Sequence, residues 1–149
     1  MDLADHIPNL LRPVERLLIG GRVDADGLNA ARAEGVTQVI DLLPELEHCG
    51  FDEAAAAARI GLAYVNLPIT GAADLSRENV LAFDRLLAPA DPACRLVHCA
   101  SGNRVGALFA LRAGWLQGLP FPRAMQIGRD HGLTKLEPVV AQLLTHGSP

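Results

Sequence analysis

Short apolar runs alternate along this chain with longer segments in which apolar residues recur at helical spacing. The apolar runs at 17–19, 36–42, 63–67 and 95–98 are rich in Leu, Ile and Val and predict four strands. Helical segments lie between these strands and after the last one. Because this alternation is typical of parallel sheets, it predicts an α/β fold with a central, mainly parallel sheet of about four to five strands, flanked by helices.

Local start and stop signals bound the predicted helices. Asp24 or Asp26 can cap the first helix, and Ser76 begins a later one that ends before Pro89 and Pro92. The predicted helices cover about 24–33, 51–59, 76–88, 104–117, 122–131 and 135–144.

Composition narrows the class of protein. The chain has 149 residues, of which 50% are apolar and 20% charged, and this predicts a single soluble domain spanning 1–149. A formal net charge of −4 is unfavourable for binding nucleic acid or an anionic membrane, since both need a broad basic surface. No apolar run reaches the roughly 18 residues of a membrane span or has the form of a signal sequence. The chain has three cysteines, Cys49, Cys94 and Cys99. They lack the spacing of a disulfide framework or a zinc site, so we expect a reducing, cytoplasmic location.

The strongest chemical signal is an apolar strand that runs into a cysteine, a polar loop and a helix. Cys99 lies between strand and helix, where backbone N–H groups and the helix dipole stabilise a thiolate. Ser101, Gly102 and Asn103 form a loop whose successive amides can point at one tetrahedral anion. Arg104 adds a planar, permanently charged guanidinium for the same anion. A thiolate in this setting suits covalent catalysis on a phosphoryl or sulfur centre.

With these residues the chain resembles the cysteine-dependent phosphatases of the tyrosine and dual-specificity type. More narrowly, it is similar to bacterial phosphatase-like domains that occur alone, beside β-lactamase-like hydrolases, or fused to NAD kinases. The resemblance extends from about residue 18 to residue 133 and rests mainly on the segment 98–104. Supporting similarity lies at 19–21, 34–36, 39–42 and 61–68.

The resemblance implies a role for each residue of the cysteine segment. Cys99 would be the nucleophile that forms a phosphocysteine, and His98 would support the thiol. Loop amides and the guanidinium would hold the phosphate: Ala100, Ser101, Gly102, Asn103, Arg104 and Val105. The resemblance implies no metal and no cofactor. The implied partner is a phosphorylated protein or small molecule, or a phosphate or sulfate anion.

Two departures from the usual phosphatase signature change the activity that we expect. Four residues, rather than five, separate Cys99 from Arg104, which is the spacing of rhodaneses, whose loop holds a persulfide. Val105 stands where most phosphatases have a serine or threonine whose hydroxyl helps the thiol leave the phosphocysteine. We therefore expect weak activity with a slow second step. A rhodanese-like sulfurtransferase and a non-catalytic phosphate-binding or interaction module stay open as alternatives.

A phosphatase of this type also needs a general acid, which the family places on a mobile loop between the third strand and the next helix. Asp74 lies on this segment, whose glycine and alanines allow it to close over a substrate. The alternatives are acidic residues after the second strand: Asp41, Glu45 and Glu47. His48 and Cys49 lie in a loop that lacks the anion-binding pattern of the Cys99 loop, and we interpret them as ordinary loop residues.

Overall fold

Five short strands form one sheet in a computed structural model that describes residues 2–88 and 93–146. They are β1 (Leu11–Val14), β2 (Leu17–Gly20), β3 (Gln38–Asp41), β4 (Ala63–Asn66) and β5 (Arg95–His98). Their order across the sheet is β1-β2-β5-β3-β4. All neighbouring pairs are parallel except β1 and β2, which are antiparallel. The predicted α/β fold with a mainly parallel sheet is confirmed.

Helices cover both faces of the sheet. The α-helices of the described residues are α1 (Ala25–Ala33), α2 (Glu53–Arg59), α3 (Arg77–Leu87), α4 (Asn103–Leu111), α5 (Phe121–Asp130) and α6 (Glu137–Thr145). The single helix predicted over 104–117 is α4 followed by a π-helical segment, Arg112–Leu116. Short 3-10 helices occur at Leu3–Asp5, Glu45–His48 and Ala72–Asp74. Pro89 and Pro92, predicted to end α3, lie outside the described residues.

Side-chain caps start three of the α-helices. The Asp24 carboxylate accepts the Gly27 amide at 2.8 Å at the start of α1. Asp52 and Ser76 cap α2 and α3 in the same way. Because a capping side chain satisfies an amide that has no partner within the helix, such starts are readable from local sequence.

The sheet separates two apolar cores, because successive side chains of a strand point to opposite faces. In β5, Leu96 packs on the face that is covered by α1 and α2. Val97 packs on the other face, against α3 to α6. By the same alternation His98 returns to the α1–α2 face, whereas Cys99 belongs to the core on the α4 face. Two consecutive residues thus contribute to opposite sides of the sheet.

The strand β1 was not predicted, because its sequence lacks the apolar pattern of the other strands. It lies at the edge of the sheet, contains Pro13, and exposes three of its four residues. Proline is tolerated at an edge strand, where its missing N–H breaks no ladder, but it weakens the strand signal in the sequence. In the part of the chain that the structure describes, no helix is long and apolar enough to cross a membrane.

Candidate active site

The carboxyl ends of β2, β5 and β3 meet at one edge of the sheet. Gly20 of β2 and Asp41 of β3 are both in register with His98, the last residue of β5. The loops that follow these strands therefore converge around Cys99. Ligands of open α/β sheets bind at this edge, beyond the carboxyl ends of parallel strands.

Cys99 follows β5 directly and is buried, with 1% of its surface exposed. Its amide donates to the Gly20 carbonyl at 3.3 Å, which joins the loop to β2. Its sulfur accepts the Gly102 amide at 3.1 Å, and α4 begins at the next residue, Asn103. The sulfur thus faces a backbone donor at the N-terminus of a nine-residue helix, an arrangement that stabilises negative charge.

Neighbouring backbone packs tightly against this loop at two glycines. A Cβ on Gly21 would lie 2.7 Å from the Ala100 carbonyl oxygen, and one on Gly132 would lie 2.6 Å from that of Gly102. The Arg22 amide also donates to the Ala100 carbonyl at 3.1 Å. The loop is therefore held in place by backbone on two sides, which requires glycine at both positions.

The other predicted phosphate-binding residues have different surroundings. Ser101 is exposed, whereas Val105 is fully buried in the same core as Cys99. The side-chain oxygen of Asn103 accepts the amides of Thr134 and Leu136 at 2.9 and 3.1 Å. Asn103 therefore ties the loop to the segment before α6, an anchoring role that its place in the sequence did not indicate.

Arg104, in the first turn of α4, is paired with a carboxylate that the sequence did not indicate as its partner. Its two terminal nitrogens donate to Glu47 at 3.0 and 2.7 Å, and one of them also donates to the Ile69 carbonyl at 2.8 Å. The hydrogen bond to Glu47 raises the pKa of Arg104, against the opposing effect of burial. Glu47, considered above as a general acid, therefore orients the guanidinium through a bidentate ion pair.

Asp74 lies between β4 and α3, on the segment expected for the general acid. Its carboxylate accepts the Thr70 amide at 2.7 Å, and its carbonyl accepts the Asn79 side-chain amide at 2.8 Å. These bonds stabilise a turn. Ile69, near the start of the segment, accepts the hydrogen bond from Arg104, so the segment borders the cysteine loop.

A group of polar side chains that we call the polar cluster lies beside Cys99 on the α1–α2 face: Asp41, His48, Glu53, Tyr64 and His98. The Nε2 atom of His98 donates to Glu53 Oε2 at 2.6 Å and lies 3.6 Å from Asp41 Oδ1. The Nδ1 atom of His98 lies 3.4 Å from the Cys99 carbonyl oxygen. The predicted supporting residue His98 thus links the backbone of Cys99 to buried carboxylates.

Hydrogen bonds and charge set the protonation of the polar cluster. Burial alone would lower the pKa of His98, but the hydrogen bond and charge of Glu53, together with the charge of Asp41, raise it. The Asp41 carboxylate accepts hydrogen bonds from His48 Nε2 at 2.5 Å and from the Tyr64 hydroxyl at 2.6 Å. Burial and then the hydrogen bond to Asp41 raise the pKa of Tyr64, so its hydroxyl stays a donor.

Residues 11–115 match the family described as the phosphatase-like domain of β-lactamase hydrolase-like proteins. A β-lactamase hydrolase-like protein of Xylella fastidiosa is 40% identical over 102 residues, which are 65% of this chain. The chain spans only 23% of the length of that curated relative.

Solved structures of low sequence identity share the fold. A DUF442 protein of Shewanella putrefaciens CN-32 superposes with a TM-score of 0.73 at 20% identity, covering 97% of this chain and 95% of its own. TpbA of P. aeruginosa, solved in complex with phosphotyrosine, has a TM-score of 0.70 at 19% identity, covering 97% and 85%. Tk-PTP has a TM-score of 0.71 at 18% identity, covering 93% and 95%. The expected cysteine-phosphatase-like fold is confirmed.

Proposed function

This chain belongs to the phosphatase-like domain family of β-lactamase hydrolase-like proteins, and we propose that it is a cysteine-dependent phosphatase of the tyrosine or dual-specificity type. One observation carries the proposal. The Cys99 sulfur accepts the Gly102 amide at the N-terminus of α4, while Arg104 of the same helix is held by Glu47. A thiolate, an amide cradle and a fixed guanidinium are what covalent phosphoryl transfer needs.

The proposed reaction has two steps. The Cys99 thiolate attacks phosphorus, so that an S–P bond forms while the P–O bond to the leaving group breaks. The leaving alkoxide or phenoxide takes a proton from Asp74. A water molecule then attacks the phosphocysteine and gives a proton to the Asp74 carboxylate. The S–P bond breaks, phosphate is released and the thiolate is restored.

Arg104 and the amides of residues 100–105 bind the phosphoryl oxygens in this proposal. Glu47 and the Ile69 carbonyl accept three of the five guanidinium N–H groups, so the phosphoryl oxygens would bind the other two, on Nε and Nη2. The pair with Glu47 supports this role by fixing the plane of the guanidinium before substrate arrives. A preorganised donor needs no rearrangement when charge develops in the transition state.

Asp74 is the proposed general acid because it lies on the segment that borders Arg104 through Ile69. To act as an acid, its carboxyl group must exchange the Thr70 amide for the leaving oxygen when the segment closes. His98 has a positioning role, since its Nδ1 atom faces the Cys99 carbonyl and its Nε2 atom is fixed by Glu53.

Four further predictions belong to this proposal. The substrate is a phosphorylated protein or small molecule, in keeping with the phosphotyrosine bound by the structural relative TpbA. Residues 1–149 act as one domain, and its location is cytoplasmic. The buried Val105 offers no hydroxyl to the departing thiolate, so phosphocysteine breakdown limits turnover and a burst of product precedes a slow steady state.

The test measures hydrolysis of an aryl phosphate by the wild type, by Cys99→Ser and by Cys49→Ser. Cys49 is exposed and makes a matched control for loss of a thiol. We expect turnover in the wild type and in Cys49→Ser, with an initial burst, and none in Cys99→Ser. Turnover that persists in Cys99→Ser contradicts the nucleophile assignment.

The four-residue spacing between Cys99 and Arg104 favours one rival, a rhodanese-like sulfurtransferase. Incubation with thiosulfate, followed by measurement of the intact protein mass, distinguishes a sulfurtransferase from a phosphatase. A gain of one sulfur atom on Cys99, without aryl phosphate turnover, supports the rival. Binding of phosphate or vanadate with neither turnover nor sulfur transfer supports a non-catalytic anion-binding module.

A further inference from the structure

Three buried side chains of the polar cluster bring nitrogen and oxygen donors together, and the partly exposed His48 borders two of them. Ligand atoms of Asp41, Glu53 and His98 all lie within 4.8 Å of one another. The Nε2 atom of His48 lies 2.5 Å from Asp41 Oδ2 and 3.9 Å from Glu53 Oε1. Two imidazoles and two carboxylates form a donor set that suits Zn²⁺ and similar transition metals.

From this arrangement we propose that Asp41, His48, Glu53 and His98 bind one divalent transition-metal ion, with Zn²⁺ as the preferred metal. The proposal goes beyond the phosphatase reaction and does not depend on it. The ion would be structural, since it lies on the α1–α2 face of the sheet and takes no part in the proposed phosphoryl transfer.

An unpartnered oxygen points to a ligand at this place. Glu53 Oε1 is buried and has no hydrogen-bond partner, although the same side chain's Oε2 receives His98. A buried carboxylate oxygen without a donor is strongly destabilising, because it has lost its hydration. The donor atom facing it is His48 Nε2, at a distance too long for a hydrogen bond. A cation would give Glu53 Oε1 the partner that it lacks, and it would replace the proton that His48 Nε2 donates to Asp41.

The residues around the donors already form an outer shell of the kind that metal sites use. His98 Nδ1 faces the Cys99 carbonyl, so a proton on Nδ1 leaves the Nε2 lone pair for an ion that replaces the proton donated to Glu53. Asp41 accepts the Leu43 amide at 2.9 Å and the Tyr64 hydroxyl at 2.6 Å, which fix the carboxylate plane. Such partners orient ligands and add to metal affinity.

Charge and access also favour an ion. The two carboxylates are almost fully buried, and a divalent cation would neutralise both. His48 retains 12% side-chain exposure, so one ligand reaches the surface. A cavity of about 520 Å³ is lined by His48 and Glu53 together with Arg22 and Phe51, and it provides a path for the ion.

The test uses metal-free protein prepared with a chelator and dialysed against Zn²⁺, with the bound metal measured by elemental analysis. All proteins carry Cys49→Ser and Cys99→Ser, so that thiolates near the site cannot bind the ion. We expect about one Zn²⁺ per chain and a higher melting temperature with Zn²⁺ than without it. His48→Gln should lower the affinity at least about tenfold, as should Glu53→Gln.

His48→Gln is the decisive variant, because His48 is only partly buried and its replacement leaves the core intact. Exposed residues supply matched controls, Glu45→Gln and His146→Gln, which should bind Zn²⁺ like the parent protein. Absence of Zn²⁺ binding by the folded parent protein overturns the proposal and leaves a network of hydrogen-bonded histidines and carboxylates. Binding that both His48→Gln and Glu53→Gln leave unchanged also overturns it.

Discussion

The two faces of the sheet near Cys99 differ in the charged and polar groups that they bury. On the α4 side, a backbone amide of the cysteine loop donates to the Cys99 sulfur, and the nearby Arg104 guanidinium is paired with Glu47. On the α1–α2 side, the polar cluster buries two carboxylates and pairs all their oxygens except Glu53 Oε1 with donors, among them histidine and tyrosine. One peptide bond joins the two, because His98 and Cys99 are consecutive residues that belong to opposite faces.

The two buried histidines on these sides show what the difference means. The carboxylates of the polar cluster raise the pKa of His98 despite its burial. His131 packs on Phe109 at a centroid distance of 4.2 Å, and burial lowers its pKa because it outweighs the Ile127 carbonyl and the charge of Asp130. Burial therefore does not set the charge of a histidine alone. Its partners decide whether the ring keeps its proton.

Removing the guanidinium from the cysteine loop should have the largest effect. Arg104→Ala should lower kcat/KM for an aryl phosphate about 10³-fold, because the phosphoryl oxygens lose their charged clamp. Arg104→Lys should lose about 10²-fold, since an ammonium cannot replace the bidentate fork. Arg129→Ala, which removes an exposed arginine paired with Glu137, is the control and should leave the rate unchanged. Equal rates for Arg104→Ala and the control would show that the loop does not clamp phosphate.

Breaking the polar cluster should act on stability. Glu53→Gln leaves His98 without its buried anionic partner, and such losses destabilise a protein by about 3 kcal/mol. Glu34→Gln breaks an exposed pair with Arg12 at 3.9 Å and should change the free energy of unfolding by less than about 0.5 kcal/mol. Urea unfolding of metal-free protein measures both. A Glu53→Gln variant as stable as the wild type would show that the His98–Glu53 pair does not stabilise the fold.

The smallest effect concerns His131. Because its pKa is lowered by folding, the unfolded chain takes up a proton near the ordinary pKa of about 6.5 that the folded chain resists. The contribution of His131 to stability should therefore decrease as pH falls below about 6.5. Urea unfolding at pH 7.5 and pH 5.5 should show a smaller loss of stability for His131→Gln than for the wild type, by at most about 1 kcal/mol. An equal loss in both proteins would show that His131 keeps its ordinary pKa.

Local patterns in the sequence predicted much of the fold. The strand, cysteine loop and helix at 95–111 were readable because apolar residues, loop formers and helical spacing follow one another without interruption. The caps at Asp24 and Ser76 were readable because each acts within three residues of its own position. The edge strand β1 was not, since proline and exposed residues hide its pattern.

Contacts between distant segments account for what the sequence could not show of the candidate site. Glu47 and Arg104 are 57 residues apart, and only the placement of β5 beside β3 brings them together. The sequence shows His48 only as the neighbour of Cys49 in a loop, whereas in the fold its hydrogen-bond partner is Asp41 of β3. The carboxylates at the end of β3 and after it, Asp41, Glu47 and Glu53, were visible in the sequence. Their partners on β5 and α4 could be predicted only with the strand order.

The most direct test of the central claim is to trap the covalent intermediate. Wild-type protein mixed with excess aryl phosphate is quenched with acid within the first turnover, digested and analysed by mass spectrometry. The account predicts the mass of one phosphoryl group on the peptide that contains Cys99, formed as fast as the product burst and missing from Cys99→Ser. Product formation without any phosphorylated Cys99 peptide would contradict it.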